Sequence, residues 1–155
     1  MNYFLDKVTV ENKDVLYRLL QYSLFEESLN DGNEMNEDGL FEYPYFNEYF
    51  IDESRDAYFV RNKENHQLLG FVMINTYMQK YDEGHSIAEF MILPKYRRHH
   101  LGKRVAIDCF NMYKGNWEVS PSYQSKSAYL FWKNVIHDYT YQQYDFIDGL
   151  FLFKN

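Results

Sequence analysis

The sequence predicts an α+β domain: a mixed, mostly antiparallel twisted sheet of about six or seven strands, flanked by about four helices. Three observations predict it. Short β-prone runs separated by turn formers dominate the first part of the chain after one amphipathic helix. Strand and helix patterns then alternate, which favours a parallel pair with crossover connections. No repeat, low-complexity linker or shift of composition interrupts the 155 residues, so residues 1–155 read as one domain.

The elements follow in order. Tyr3 to Val10 is β-prone and reads as a first strand. From Lys13, the residues Val15, Leu16, Leu19, Leu20 and Leu24 recur at three- and four-residue spacing, which marks an amphipathic helix. It runs into the acidic stretch Glu26 to Asp38, where Asn30-Asp31-Gly32-Asn33 breaks the periodicity. Aromatic Phe41 to Ile51 reads as a short second helix. Strands are expected at Ala57 to Arg61, Leu68 to Tyr77 and Ile87 to Leu93, with turns at Asn65-His66-Gln67 and Asp82-Glu83-Gly84. A basic loop after Pro94 enters a helix that carries Leu101, Val105, Cys109 and Met112 on one stripe and stops at Gly115-Asn116. Trp117-Glu118-Val119 begins another strand, and Ser125 caps a helix over Lys126 to His137. Thr140 to Phe146 and Leu150 to Phe153 close the chain as a hairpin.

Composition narrows the function. A formal net charge of −7 argues against a nucleic-acid binder, whose affinity needs many phosphate-neutralising cations, and suits a cationic small molecule or a basic peptide. The single Cys109 excludes an internal disulfide framework and any multi-cysteine metal site. Adjacent His99 and His100 do not share a helix face, so no metal is expected. There is no long apolar run, and the first residues lack a basic stretch followed by an apolar one, so a cytoplasmic protein without a membrane partner is expected. Sixteen Tyr and thirteen Phe are enough to build a core on large rings and still line a cleft.

The segment Ala88-Glu89-Phe90-Met91-Ile92-Leu93-Pro94-Lys95-Tyr96-Arg97-Arg98-His99-His100-Leu101-Gly102-Lys103 carries the chemistry. A strand ends at proline, and a basic turn then opens a helix. The first N–H groups of a helix lack internal partners, and its dipole adds about half a positive charge there. Arg98, Lys103 and Arg104 add full charges, so a pyrophosphate is the natural guest. The loop is not a Walker A loop, and there is no Gly-x-Gly-x-x-Gly.

Arg97-Arg98-His99-His100-Leu101-Gly102 after a strand resembles the signature loop of the GNAT family of N-acetyltransferases. Downstream, Gly115-Asn116-Trp117-Glu118-Val119 and Ala128 to Ile136 are similar to a bacterial branch with a Gly-x-Trp-Glu-Val strand and a Phe-Trp helix. The resemblance implies a GNAT-like sheet with splayed central strands and acetyl-CoA as cosubstrate. It implies that Arg97, Arg98, His99, His100, Leu101, Gly102 and Lys103 hold the pyrophosphate, that Phe90, Met91 and Ile92 bind the pantetheine arm through their main chain, and that Ser125 stands where the family places an Asn. Three departures stand out. His100 replaces the first loop glycine, Ser125 replaces that Asn, and Trp132 replaces a Tyr that protonates the departing thiolate in many members.

Acetyl transfer needs a neutral amine. Bringing a lysine-like group from pKa ~10.4 to neutrality at pH 7 costs roughly 4.6 kcal/mol, which burial and a carboxylate base can supply. Glu89 lies on the strand implied to bind pantetheine, and Glu118 matches a glutamate that is the base in a branch acetylating ribosomal-protein N-termini. Both are candidates, and strand alternation decides which one faces the acceptor. Tyr129 is the candidate acid, ahead of Tyr123 and Tyr139. The leading reading is an N-acetyltransferase acting on a primary amine of a small molecule or peptide, with a homodimer compatible. The second is a non-catalytic CoA-binding or protein-interaction module. A third, an RNA-binding domain using the basic loop, is poorly supported at a net charge of −7.

Overall fold

The computed structural model describes all 155 residues, running through β1 (Tyr3–Lys7), α1 (Lys13–Asp31), β2 (Arg55–Asn62), β3 (Leu68–Asn75), β4 (His85–Ile92), α2 (Leu101–Met112), β5 (Asn116–Val119), α3 (Lys126–Tyr139), β6 (Asp145–Ile147) and β7 (Leu150–Lys154). The strands form one seven-stranded sheet in the order β1-β2-β3-β4-β5-β7-β6. Every neighbouring pair is antiparallel except β4 and β5, so the sheet is the mixed, mostly antiparallel one that the sequence predicts.

Three α-helices flank it rather than four. Phe41 to Ile51 winds only into a 3-10 turn at Phe46–Phe50. Pro44 steers Tyr43 away from helical geometry, and Tyr45 takes φ 68°, so no longer helix can start there. The first strand is also shorter than its β-prone run. The Thr9 amide donates to Asn12 Oδ1 at 2.8 Å and begins a 3-10 turn at Val10–Asn12. In the other direction, α1 continues through part of the acidic stretch to Asp31, where Gly32 at φ 74° ends it. Glu27 therefore sits on a helix and not in a loop.

Both faces of the sheet are covered. On one face, Leu16, Leu20 and Leu24 of α1 pack with Phe41, Phe46 and Tyr49 against Ala57, Phe59, Phe71, Met73 and Met91. On the other, Leu101, Val105, Cys109 and Phe110 of α2 and Trp132, Val135 and Ile136 of α3 pack against Val60, Val72, Ile74, Trp117 and Phe153.

Two irregularities in the sheet build the site. Ile74 pairs with Ile87 while its neighbour Met73 pairs with Glu89, so Ala88 is an extra residue bulging from β4. The parallel pairing of β4 with β5 covers only His85, Ser86 and Ile87 opposite Trp117, Glu118 and Val119. Past that point β5 ends, while β4 continues to Ile92 with no partner on this side. The two strands part there, as expected from the sequence, and leave an open slot through the middle of the sheet.

Candidate active site

A cavity of about 280 Å³ occupies the fork of the slot, lined by Glu27, Ser86, Ile87, Ala88, Glu89, Phe90, Ser120, Ser122 and Trp132. Glu27 comes from the α1 face of the sheet and Trp132 from the α3 face. One cavity can collect both only because no backbone ladder closes the sheet between β4 and Ser120. Main-chain groups of β4 also face the opening. The Leu93 amide bonds to the Leu69 carbonyl of β3, so alternation turns Met91 toward β3 and leaves Phe90 and Ile92 facing the slot. Of the three residues expected to present main chain there, two do. The Ile92 carbonyl is already taken by Arg97 Nε at 2.7 Å.

Glu89 points into this cavity because of the bulge. Ile87 belongs to the core under α2 and α3, whereas Met91 lies under α1. Two residues before Met91, Glu89 shares the α1 face. Burial, followed by the negative charge and hydrogen bond of Glu27, pushes its carboxyl well above the ordinary range, while a hydrogen bond with Tyr43 opposes the shift. Glu27 is raised too, first by burial, and Asp31 adds to this while hydrogen bonds with Glu89, Ser122 and Ser23 counteract it. Its Oε1 accepts from Ser122 Oγ at 3.4 Å and from Ser23 Oγ at 3.5 Å. Burial drives the phenol of Tyr43 far above the ordinary value.

Glu118, the other candidate base, lies elsewhere. It is 1% exposed, and its carboxylate accepts from three consecutive backbone amides: Gln79 (2.8 Å to Oε2), Lys80 (2.6 Å to Oε1) and Tyr81 (2.9 Å to Oε1). It ties the loop after β3 to β5, and it does not line the cavity with Glu89. Tyr129 is also directed away. Its ring packs on Phe146 and Phe151 of the terminal hairpin, with centroids 5.2 and 5.7 Å apart. Trp132 instead contacts the slot, edge-on to Phe90 at 5.0 Å. Ser125 Oγ accepts from the Ala128 amide at 3.2 Å, the expected helix cap. Cys109 is fully buried, and burial pushes its thiol up to about 12.

The far end of β4 carries the cradle. None of the amides from Arg98 to Lys103 donates to a backbone acceptor, and the first helical bond runs from Arg104 to the His100 carbonyl. Arg98 at φ 67° and His100 at φ 58° are both left-handed, the kind of backbone in which successive N–H groups can form an anion-binding concavity. His100 thus adopts the conformation that a glycine would take without strain. A side chain there costs roughly 1–2 kcal/mol. Gly102 is needed for packing as well: a Cβ on it would lie 3.2 Å from Phe131 Cε2 and 3.5 Å from Ile92 Cγ1.

The side chains of the cradle divide. Arg98, His99 and His100 are exposed. Arg97 turns back to Ile92 and Glu26, Lys103 Nζ donates to Asp138 at 2.5 Å, and Arg104 donates to the Met1 carbonyl and stacks on Tyr3. No three His, Cys, Asp or Glu side chains gather as a metal site would require, and no helix is long and apolar enough to cross a membrane. Sequence reading missed Glu27 and Tyr43. Glu27 falls within the acidic stretch in which the helical periodicity breaks, and the only signal was its spacing of three from Leu24.

The sequence model of the acetyltransferase (GNAT) family matches residues 21–116, from within α1 to the first residue of β5. No curated protein matches the chain in sequence. Among solved structures, the chain is similar to a mutant of the BH1408 protein from Bacillus halodurans, with TM-score 0.66 and 10% identity over 85% of this chain and 90% of that one. It is similar to aminoglycoside acetyltransferase AAC(6')-Ib in complex with coenzyme A, with TM-score 0.66 and 10% identity over 99% and 95% of the two chains. It is also similar to AtaTR bound with AcCoA, with TM-score 0.57 and 10% identity over 99% and 93%. At these identities the likeness is one of fold.

Proposed function

The chain belongs to the GNAT family of acetyltransferases, and from that premise we propose that it transfers an acetyl group from acetyl-CoA to a primary amine of a small molecule or peptide, by direct attack in a ternary complex. The observation that carries this reading is the slot itself, with six unpartnered amides beyond the C-terminal end of β4 and a raised carboxyl, Glu89, at the fork in the middle of that strand. The free amides from Arg98 to Lys103, helped by Arg98, suit the pyrophosphate of CoA. The main chain of Phe90 suits an amide of the pantetheine arm, which would thread the slot toward the fork. Solved neighbours that hold coenzyme A or AcCoA in the same fold support that placement.

Glu89 is the base in this scheme. A carboxylate of ordinary pKa is a poor acceptor for an ammonium proton, and each unit by which Glu89 is raised lowers the cost of transfer by about 1.4 kcal/mol. The neutral amine attacks the thioester carbonyl, the C–N bond forms, and the C–S bond breaks with its electron pair on sulfur. With Tyr129 packed against the hairpin and an indole at Trp132, no phenol reaches the thiolate from α3. The thiolate takes the second amine proton through water. The acidic residues at the fork suit a cationic acceptor, as with the neighbour AAC(6')-Ib, solved with coenzyme A and kanamycin.

The missing phenol also favours a second reading, a GNAT-like module that binds CoA without turnover. One experiment separates the two. Acetyl-CoA is incubated with a panel of primary amines, with CoA thiol release and the mass gain of one acetyl group as readouts. Turnover with any amine supports the enzyme. CoA binding by calorimetry without turnover supports the module, and absence of CoA binding removes both.

A further inference from the structure

Glu27 is half-buried on α1, directly across the cavity from Glu89 on β4. Ser122 and Ser23 both engage its Oε1, which fixes the carboxyl from two sides and leaves Oε2 for other partners. Two carboxylates facing each other in a partly dry cavity cannot both ionise cheaply, so they hold a proton between them. We propose that Glu27 is a positioning residue for acyl transfer, sharing a proton with Glu89 across the fork and holding that carboxyl toward the thioester end of the slot. The inference deepens the acetyl-transfer reading and rests on it.

The proton balance closes on the pair. The acceptor enters as R–NH3+. One N–H bond breaks, its electrons stay on nitrogen, and the proton goes to the Glu89 carboxylate. The amine acylates with loss of its second proton, which ends on the CoA thiol. Glu27, which held the shared proton while Glu89 was the carboxylate, is exposed enough to release it to water. The proton left on Glu89 is then shared between the two, so the pair returns to its starting state. The net products are the acetamide, CoA and one proton. The other titratable groups facing the pair are Asp31 of α1 and Tyr43 ahead of the 3-10 turn. Asp31 adds negative charge on the solvent side, while Tyr43 contacts Glu89 from the protein side. Coupled sites of this kind titrate in two steps that belong to the pair.

The test needs neither acceptor nor CoA. The protein is labelled with 13Cδ-glutamate and its carboxyl resonances are followed by NMR across pH in wild type, Glu27→Gln and Glu89→Gln; each substitution identifies a resonance by its loss. Wild type should show two-step curves for both resonances. In Glu27→Gln the Glu89 resonance should titrate in one step and at lower pH, and in Glu89→Gln the Glu27 resonance should lose its second step. A Glu89 midpoint that stays put in a natively folded Glu27→Gln overturns the pairing. If that variant fails to fold, a Glu27 curve that is unchanged in shape and position in Glu89→Gln decides equally. Once an amine from the panel turns over, the acidic limb of kcat/KM should move to lower pH in Glu27→Gln, with KM for acetyl-CoA unchanged and partial recovery in Glu27→Asp. An unmoved limb would overturn the catalytic role. Loss of CoA binding in wild type would strike the acetyl-transfer reading and leave the titration result intact.

Discussion

Glu118→Gln changes one oxygen for one NH2 group and separates a structural glutamate from a catalytic one. The carboxylate accepts from the amides of Gln79, Lys80 and Tyr81 at 2.8, 2.6 and 2.9 Å, inside the protein. A glutamine oxygen can accept at most two of these, and its NH2 group would face an N–H donor. At least one buried amide is then left without a partner, which costs about 1–3 kcal/mol. The two surviving bonds lose charge assistance, adding about 1 kcal/mol. The sum is about 3 kcal/mol, and for a chain of 155 residues this corresponds to a fall in Tm of about 6–12 °C. Thermal unfolding by circular dichroism measures the fall, and hydrogen exchange at Gln79, Lys80 and Tyr81 should speed up locally. A Tm within about 2 °C of wild type with these amides still protected would refute the reasoning. If turnover collapsed in that same stable variant, the base would move from Glu89 to Glu118.

Glu89→Gln should lower turnover by about 10²–10⁴-fold at neutral pH with CoA affinity unchanged, since a general base contributes that much; calorimetry and steady-state rates check both. Its stability effect has a definite sign. Glu89 is raised in the folded state, so the fold keeps a proton that the unfolded chain releases above about pH 4.3. Stability from this group is full below that pH and is lost as pH rises through the raised value. Glu89→Gln should therefore gain Tm relative to wild type across that window, and a constant difference from pH 4 to 8 would contradict it. Gly102→Val places a Cβ 3.2 Å from Phe131 and crowds the cradle, so CoA affinity should fall at least about tenfold, with about 1–3 kcal/mol of overpacking cost; unchanged calorimetric affinity would remove this loop from the site. His100→Gly relieves a left-handed side chain at roughly 1–2 kcal/mol and adds chain entropy of roughly 0.5–1 kcal/mol, so Tm should rise by about 1–3 °C, and a fall would show that the imidazole makes a contact worth more than the strain.

Much of the fold was legible because the local signals agreed with the final packing. Leu16, Leu20 and Leu24 mark the buried stripe of α1, and Leu101, Val105 and Cys109 that of α2, as their spacing predicts, whereas Met112, expected on the same stripe, is exposed at the end of the helix. Phe41 to Ile51 misled because aromatic residues are apolar in any conformation, and Pro44 outweighed them locally. The strand, basic turn and helix start were legible together, since they are contiguous in the chain. The individual roles within it were not. Arg97, Lys103 and Arg104 find partners at Glu26, Asp138 and Met1, all distant in sequence, and a charged residue in a basic run gives no local sign of which partner it will meet.

The choice between the two glutamates turned on a single inserted residue. Strict alternation along β4 would place Glu89 on the same face as Ile87, under α2 and α3, where an unpaired carboxyl would be costly. The bulge at Ala88 reverses the parity, so Ile87 enters one core and Glu89 the other face. Bulges leave little trace in sequence, because the extra residue need only be small. The same reversal brings Glu89 to Glu27 and Tyr43, and it segregates charge along one strand. Acidic groups collect at the fork, where an ammonium would arrive, while free amides and Arg98 collect at the other end of β4. With Lys103 and Arg104 already paired, most of the pull on a pyrophosphate at this loop would, on the proposed scheme, come from fixed backbone dipoles, which salt screens less than it screens exposed lysines. On that scheme, a chain of net charge −7 can hold an anionic cosubstrate and a cationic acceptor in the same slot, because the two would meet different parts of it.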